Sequence, residues 1–148
     1  MHRLLIVEEQ ADQARVMAIG LRLEGFEVET AASSADALER LAARPFELAV
    51  VDLMLPGTNG IQLARMIRDS NPGTRVVLMS AYHLSERQLA RADCGAAGFV
   101  PKPLDLGELA EFLRSKASGG AAPFELAAGS EPLVGARTRT VAGAASPR

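Results

Sequence analysis

Phe46-Glu47-Leu48-Ala49-Val50-Val51-Asp52 runs directly into Leu53-Met54-Leu55-Pro56-Gly57-Thr58-Asn59-Gly60, and this passage decides the architecture. Phe46 to Val51 is an almost unbroken apolar run, the pattern of a strand buried on both faces. It ends on a carboxylate and opens into a loop punctuated by Pro56, Gly57, Asn59 and Gly60. Ile61 to Asp69 then takes a helical period with Leu63, Met66 and Ile67 inward, and Asn71-Pro72-Gly73 closes it. A buried strand, a polar loop and an amphipathic helix make one unit of an alternating α/β chain.

The same unit recurs on either side. Leu4 to Val7 is a second continuous apolar strand, followed by a helix over Gln10–Glu24 that carries Ala14, Met17, Ala18 and Leu21 and stops at Gly25. Phe26 to Thr30 alternates with period two, as an edge or half-buried strand does. Ser33 is placed to cap a helix with Ala37, Leu38 and Leu41, which must end before Pro45. Arg75 to Met79 is a third apolar strand, and Ser85 to Asp93 a polar, weakly amphipathic helix. Gly98 to Val100 is a short strand, and Leu106 to Lys116 a last helix with Leu109, Phe112 and Leu113 inward. Five strand–helix repeats in residues 1–117 predict a doubly wound parallel sheet with helices on both faces. Beyond Ala117 the composition turns to Ala, Gly, Ser and Pro with no sustained period, which predicts a disordered or loosely attached tail over 118–148.

Bulk composition narrows the function classes. The chain of 148 residues is 48% hydrophobic and 23% charged, so a single soluble domain can bury a core. Aromatics make up 4%, which makes that core aliphatic. Sixteen basic against eighteen acidic residues leave a net charge of −2, with no basic excess of the kind that recruits nucleic acid or a membrane surface. Cys94, the one cysteine, excludes an internal disulfide and any zinc cluster built on cysteines. Leu4–Val7 is too short for a signal-peptide core or a membrane span, so a cytoplasmic location is expected. His83 falls in a loop and receives no role.

The chemistry collects at strand ends. Glu8 and Glu9 follow the first strand, Asp52 the third and Ser80 the fourth, while Lys102 sits just past the fifth. In open α/β sheets, ligands bind at the carboxyl ends of strands near the switch in strand order. If the first and third strands are neighbours, three carboxylates converge there, and a bound divalent cation is the usual relief for such crowding. Magnesium suits a few carboxylates, waters and phosphate oxygens.

Four blocks together resemble the receiver domains of response regulators: Leu4–Glu9, Val51–Gly60, Leu78-Met79-Ser80-Ala81 and Gly98-Phe99-Val100-Pro101-Lys102-Pro103. They stand in the family's order and at roughly its spacing, over residues 1–117. The resemblance implies a flavodoxin-like, five-stranded sheet in the order 2-1-3-4-5. It implies that Asp52 takes a phosphoryl group from a phosphohistidine on a histidine kinase or histidine phosphotransfer protein, the receiver catalysing its own phosphorylation and dephosphorylation. Glu8, Glu9, Asp52 and the Met54 backbone carbonyl would hold Mg2+. Lys102 would pair with phosphoryl oxygens, Ser80 would donate to another, and Phe99 would be the aromatic that turns with Ser80. Met54 and Tyr82 occupy the positions that tune phosphoryl loss, and their bulk predicts a long-lived phosphoprotein. The output would be a contact with a downstream protein or a second copy, without direct binding to nucleic acid.

Glu9 departs from the family, which usually has Asp there. The added methylene moves the carboxylate by roughly a bond length in a site that wants near-octahedral geometry. This supports an alternative reading, a pseudo-receiver that keeps the fold as an interaction module without phosphotransfer. Other classes fit less well. A hydrolase with an Asp nucleophile needs an acid two residues later, where Met54 stands. A flavodoxin-type cofactor binder needs glycines and backbone donors where Glu8-Glu9-Gln10 lies.

Overall fold

The structure is a computed structural model and describes residues 2–102, 105–119 and 123–126. Five strands, β1 (Arg3–Val7), β2 (Glu27–Ala31), β3 (Leu48–Asp52), β4 (Arg75–Ser80) and β5 (Gly98–Pro101), alternate with five helices. These are α1 (Ala11–Leu23), α2 (Ser34–Ala43), α3 (Gly60–Ser70), α4 (Glu86–Ala92) and α5 (Leu106–Ala117). The strands are parallel in the order β2-β1-β3-β4-β5, as the resemblance implied.

The continuous apolar strands are explained by two cores, one on each face. Along β1, Leu4 and Ile6 enter the core shared with α1 and α5, while Leu5 and Val7 enter the core shared with α2, α3 and α4. β3 and β4 divide in the same way, with Val50 and Val77 on one side and Val51 and Leu78 on the other. Past the first residue of β1 and β4, Arg3 and Arg75, the interior positions of the central strands have an apolar layer to meet on either face, so no polar alternation appears along them. β2, at one edge, keeps Glu27 exposed and Val28 buried.

Local chemistry sets the helix boundaries. Ser33 caps α2 by accepting from the Asp36 amide at 3.2 Å. Asn59 and Gln62 form a reciprocal capping box at the start of α3. The buried face of α3 consists of Gly60, Leu63, Ala64 and Ile67, whereas Met66, expected inward, is 45% exposed. Alanine at 64 takes the place against the sheet, and the longer Met66 falls at the margin of the buried stripe. Among the described residues no helix is long and apolar enough to cross a membrane.

Four residues of the stretch expected to be a loose tail lie against the sheet. Pro123–Leu126 lies along the outer edge of β5, where the Phe99 amide donates to the Phe124 carbonyl at 3.0 Å and the Leu126 amide donates to the Phe99 carbonyl at 2.9 Å. The bridge is parallel and pairs Phe99 with Glu125. The edge of β5 presents backbone groups in need of partners, and Phe124 and Leu126 bring apolar side chains to the same place. Residues 120–122 and 127–148 of that stretch lie outside the described residues.

Candidate functional site

Register brings the polar strand ends to one rim. Val7 pairs with Val51, so Glu8 and Asp52 leave neighbouring strands at the same level. Asp52 pairs with Met79, and Ser80 pairs with Pro101, which sets Ser80 and Lys102 side by side one step further along. The Lys102 amide donates to the Ser80 carbonyl at 2.9 Å, extending the ladder to the lysine itself.

The loop after β3 aims the Asp52 carboxylate. Its Oδ1 accepts from the Met54 amide at 2.9 Å, an Asx-type turn that fixes the carboxylate plane. Gly60 permits the loop to return against the strand end: a Cβ there would stand 2.6 Å from the Asp52 carbonyl oxygen and 2.8 Å from the Leu53 Cα. The Gly60 amide closes the turn by donating to the Leu53 carbonyl at 2.8 Å.

At the centre sits the Lys102 ammonium. It donates to Asp52 Oδ2 at 2.9 Å, to Glu8 Oε1 at 3.0 Å and to Gln13 Oε1 at 3.2 Å, which employs all three of its protons. Glu8 is 2% exposed and its second oxygen accepts from the Gln10 amide at 3.1 Å. Burial raises the Glu8 carboxyl above its ordinary range; the Gln10 amide and Lys102 oppose this, and the nearby Asp52 adds to it. For Lys102, burial pulls the ammonium down, but its hydrogen bonds to Asp52 and Glu8 and their charges outweigh that and raise it. Two carboxylates against one ammonium leave the cleft with an excess negative charge.

Ser80 is 1% exposed, and its hydroxyl oxygen accepts from the Tyr82 amide at 2.9 Å. Phe99 is fully buried, with the His83 ring edge-on at 6.1 Å. The side chains of Met54 and Tyr82 are exposed, at 59% and 67%. Glu9 is exposed as well, and among the described residues no three His, Cys, Asp or Glu side chains are arranged to hold a metal. The carboxylates brought together are thus Glu8 and Asp52, with Glu9 outside the pair. That set still fits magnesium, which takes one or two carboxylates and keeps several waters.

Two participants escaped the sequence reading. Gln13, in the first turn of α1, supplies the third acceptor for Lys102 and is itself steadied by Gln10, whose Oε1 accepts from Gln13 Nε2 at 2.7 Å. A polar side chain in the turn just after the strand-end glutamates was the available signal. His83 packs against Phe99 and lies 3.2 Å from the Glu125 carboxylate, a partner no local pattern could indicate.

A parallel 2-1-3-4-5 sheet with an Asp, a Glu and a Lys locked together at its carboxyl rim defines the class, and residues 4–114 match the family model of the response regulator receiver domain. The chain belongs to that family, the receiver domains of two-component response regulators. Among curated relatives it resembles the response regulator ArlR of Staphylococcus aureus, 31% identical over 115 residues that make up 78% of this chain and 52% of ArlR. The chain therefore spans about half the length of the curated relatives it matches. Among solved structures it resembles a CheY-like receiver domain protein from Methanospirillum hungatei JF-1, with TM-score 0.74 and 27% identity over 80% of this chain and 95% of the other. It also resembles the response regulator TrrA from Thermotoga maritima in complex with Mg2+ and BeF, with TM-score 0.70 and 26% identity over 78% of this chain and 99% of the other.

Proposed function

We infer that Asp52 is the phosphoacceptor of a phosphorelay, taking its phosphoryl group from a histidine kinase or a histidine phosphotransfer protein. The observation that carries this is the single ammonium of Lys102 shared between Asp52 and the buried Glu8. A carboxylate oxygen of Asp52 forms a bond to phosphorus as the phosphorus–nitrogen bond to the donor imidazole breaks, and the electron pair leaves with the imidazole. Lys102 is already in contact with the attacking group, so its charge is in place where phosphoryl oxygens arrive. The Ser80 hydroxyl would donate to another of those oxygens, and Phe99 would follow Ser80 as the switch. Glu8, Asp52 and the Met54 carbonyl would hold Mg2+, with Glu9 reaching it from the exposed rim directly or through water. When bound, the ion supplies positive charge to the phosphoryl oxygens.

A donor must sit over the rim, and α1 offers it a surface. Val16, Ile19 and Leu23 are exposed along one face of α1, and Val16 also lines an open groove of about 590 Å³ that reaches Lys102 and Leu106. We place the donor against this apolar stripe, with its phosphohistidine directed at Asp52. Downstream, the phosphorylated form would change contacts with a protein target or a second copy.

The exposed position of Glu9, outside the Glu8–Asp52 pair, favours a second reading in which the fold serves as an interaction module without phosphotransfer. Incubation with Mg2+ and acetyl phosphate, followed by intact mass, separates the two. The phosphoacceptor reading expects one added phosphoryl group on the wild type and none on Asp52→Asn. No adduct on the wild type, under conditions that label another receiver, selects the interaction module.

A further inference from the structure

The segment Pro123–Leu126 is held by three kinds of contact at the point where β5 meets the loop after β4. Its backbone exchanges two hydrogen bonds with Phe99. Phe124 packs on the core beneath α2, α3 and α4, and Leu126 packs on the core beneath α1 and α5, so the segment clasps both layers at the sheet edge. The Glu125 carboxylate meets His83 Nε2 at 3.2 Å. Gly98 makes the approach sterically feasible, since a Cβ there would stand 2.8 Å from the Phe124 carbonyl oxygen and 2.9 Å from Phe112 Cζ.

His83 connects this clasp to the rim. Ser80 ends β4 and His83 follows three residues later in the loop, whose start is pinned by the Tyr82 amide donating to Ser80 Oγ. The same His83 ring lies edge-on to Phe99, the residue whose backbone carries the clasp. Any displacement of Ser80 Oγ therefore loosens the turn that positions His83 against both Phe99 and Glu125. Two backbone bonds and two half-buried side chains must offset the ordering of the segment, so the docked state is only modestly favoured and a small change can tip it.

We propose that Pro123–Leu126 is an intramolecular strap on the edge of β5, docked while Asp52 is unmodified and released when Ser80 Oγ is drawn to a phosphoryl group on Asp52. The release rests on the phosphoacceptor reading given above. Released, the strap uncovers the β5 edge and the side of Phe99 that it now covers, which couples the state of the rim to the accessibility of a surface on the opposite side of the β4–α4 loop. Coupling of this kind is reciprocal: if the phosphoryl group disfavours the docked strap, weakening the strap must favour occupation of Asp52 by the same factor.

The test uses the full chain with Mg2+ and beryllium fluoride, a tetrahedral mimic of the phosphoryl group. Amide exchange is followed by NMR residue by residue, with the Met54 amide, which bonds Asp52, reporting occupation of the rim. In the wild type, beryllium fluoride should perturb Met54 and speed exchange at Phe99 and Leu126 several-fold. Phe124→Ala and Glu125→Gln should each speed that exchange without ligand and bind beryllium fluoride several-fold more tightly; if the first fails to fold, the second carries the comparison. Perturbation of Met54 with Phe99 and Leu126 unchanged overturns the strap and leaves the phosphoacceptor reading standing. Equal affinity of wild type and Glu125→Gln, despite faster exchange in the variant, reduces the segment to a structural edge cover and overturns the coupling. No response at Met54 overturns the phosphoacceptor reading itself, and the coupling with it.

Discussion

Replacing Lys102 by methionine keeps most of the apolar stem and removes the one charge that Asp52 and Glu8 share. Both carboxylate oxygens lie within 3.0 Å of Nζ. They therefore stand roughly 5 Å apart, and at an effective dielectric near 20 they would repel by about 3 kcal/mol once the ammonium is gone. Lys102 is 21% exposed, so water screens part of this, and a loss of about 2–3 kcal/mol near pH 8 is the expected outcome. The chain has an escape, which is to protonate Glu8. Its carboxyl already titrates above the ordinary 4.5. A group raised on folding contributes stability below its unfolded pKa and loses it as pH rises through the folded one, so Glu8 favours the fold in acid and disfavours it at neutral pH. Protonation caps the cost of the substitution, and the cap falls by about 1.4 kcal/mol for each pH unit of acidification. Lys102, raised above 10.5, contributes across the neutral range and loses its contribution only in strong alkali. Urea unfolding of wild type and Lys102→Met at pH 8 and pH 5.5 gives two differences, and the one at pH 5.5 should be clearly smaller. A difference that stays constant or widens on acidification refutes the view that Lys102 neutralises a strained carboxylate pair.

Mg2+ should raise the melting temperature of Lys102→Met more than that of wild type, because the ion then replaces a missing charge; equal shifts measured by calorimetry would count against a metal at Glu8 and Asp52. Gly60→Ala should cost about 1–3 kcal/mol, since its Cβ meets the Asp52 carbonyl oxygen at 2.6 Å and backbone cannot step aside as a side chain can. The denaturation midpoint should fall at unchanged m-value. Ser33→Ala should cost about 1 kcal/mol by orphaning the Asp36 amide at the start of α2, again read from the denaturation midpoint. If Met54 and Tyr82 shield the phosphoryl group from water, the double change to alanine should shorten its lifetime several-fold, followed as loss of the phosphoryl mass with time; an unchanged lifetime removes both from that role.

Much of the fold could be read from residue order because its signals are local. The apolar runs Leu4–Val7 and Leu48–Val51 needed no partner to declare themselves, since a strand covered on both faces must be apolar at every position. Ser33 announced a helix start through a bond that spans three residues, whereas Asn59, expected only in the loop, turned out to cap α3 in the same way. The order of the strands was another matter: it came from the family likeness, because nothing within a strand records which neighbour it pairs with. Met66 was misplaced because period alone cannot tell the centre of a buried stripe from its margin.

At the site, sequence alone determined which side chains end the strands: Glu8, Glu9, Asp52, Ser80 and Lys102 are polar groups at the boundary of apolar runs. Only the tertiary structure decided how they divide. Lys102 takes Glu8, 94 residues away, and Asp52, 50 residues away, and adds Gln13, while Glu9 faces outward. The same holds for the strap, where Phe99 and His83 meet Phe124, Glu125 and Leu126 across more than 20 positions of sequence at the open side of β5. An ammonium or an unpaired edge amide is satisfied by whatever acceptor stands within about 3 Å, and that distance is set by the packing of the whole sheet.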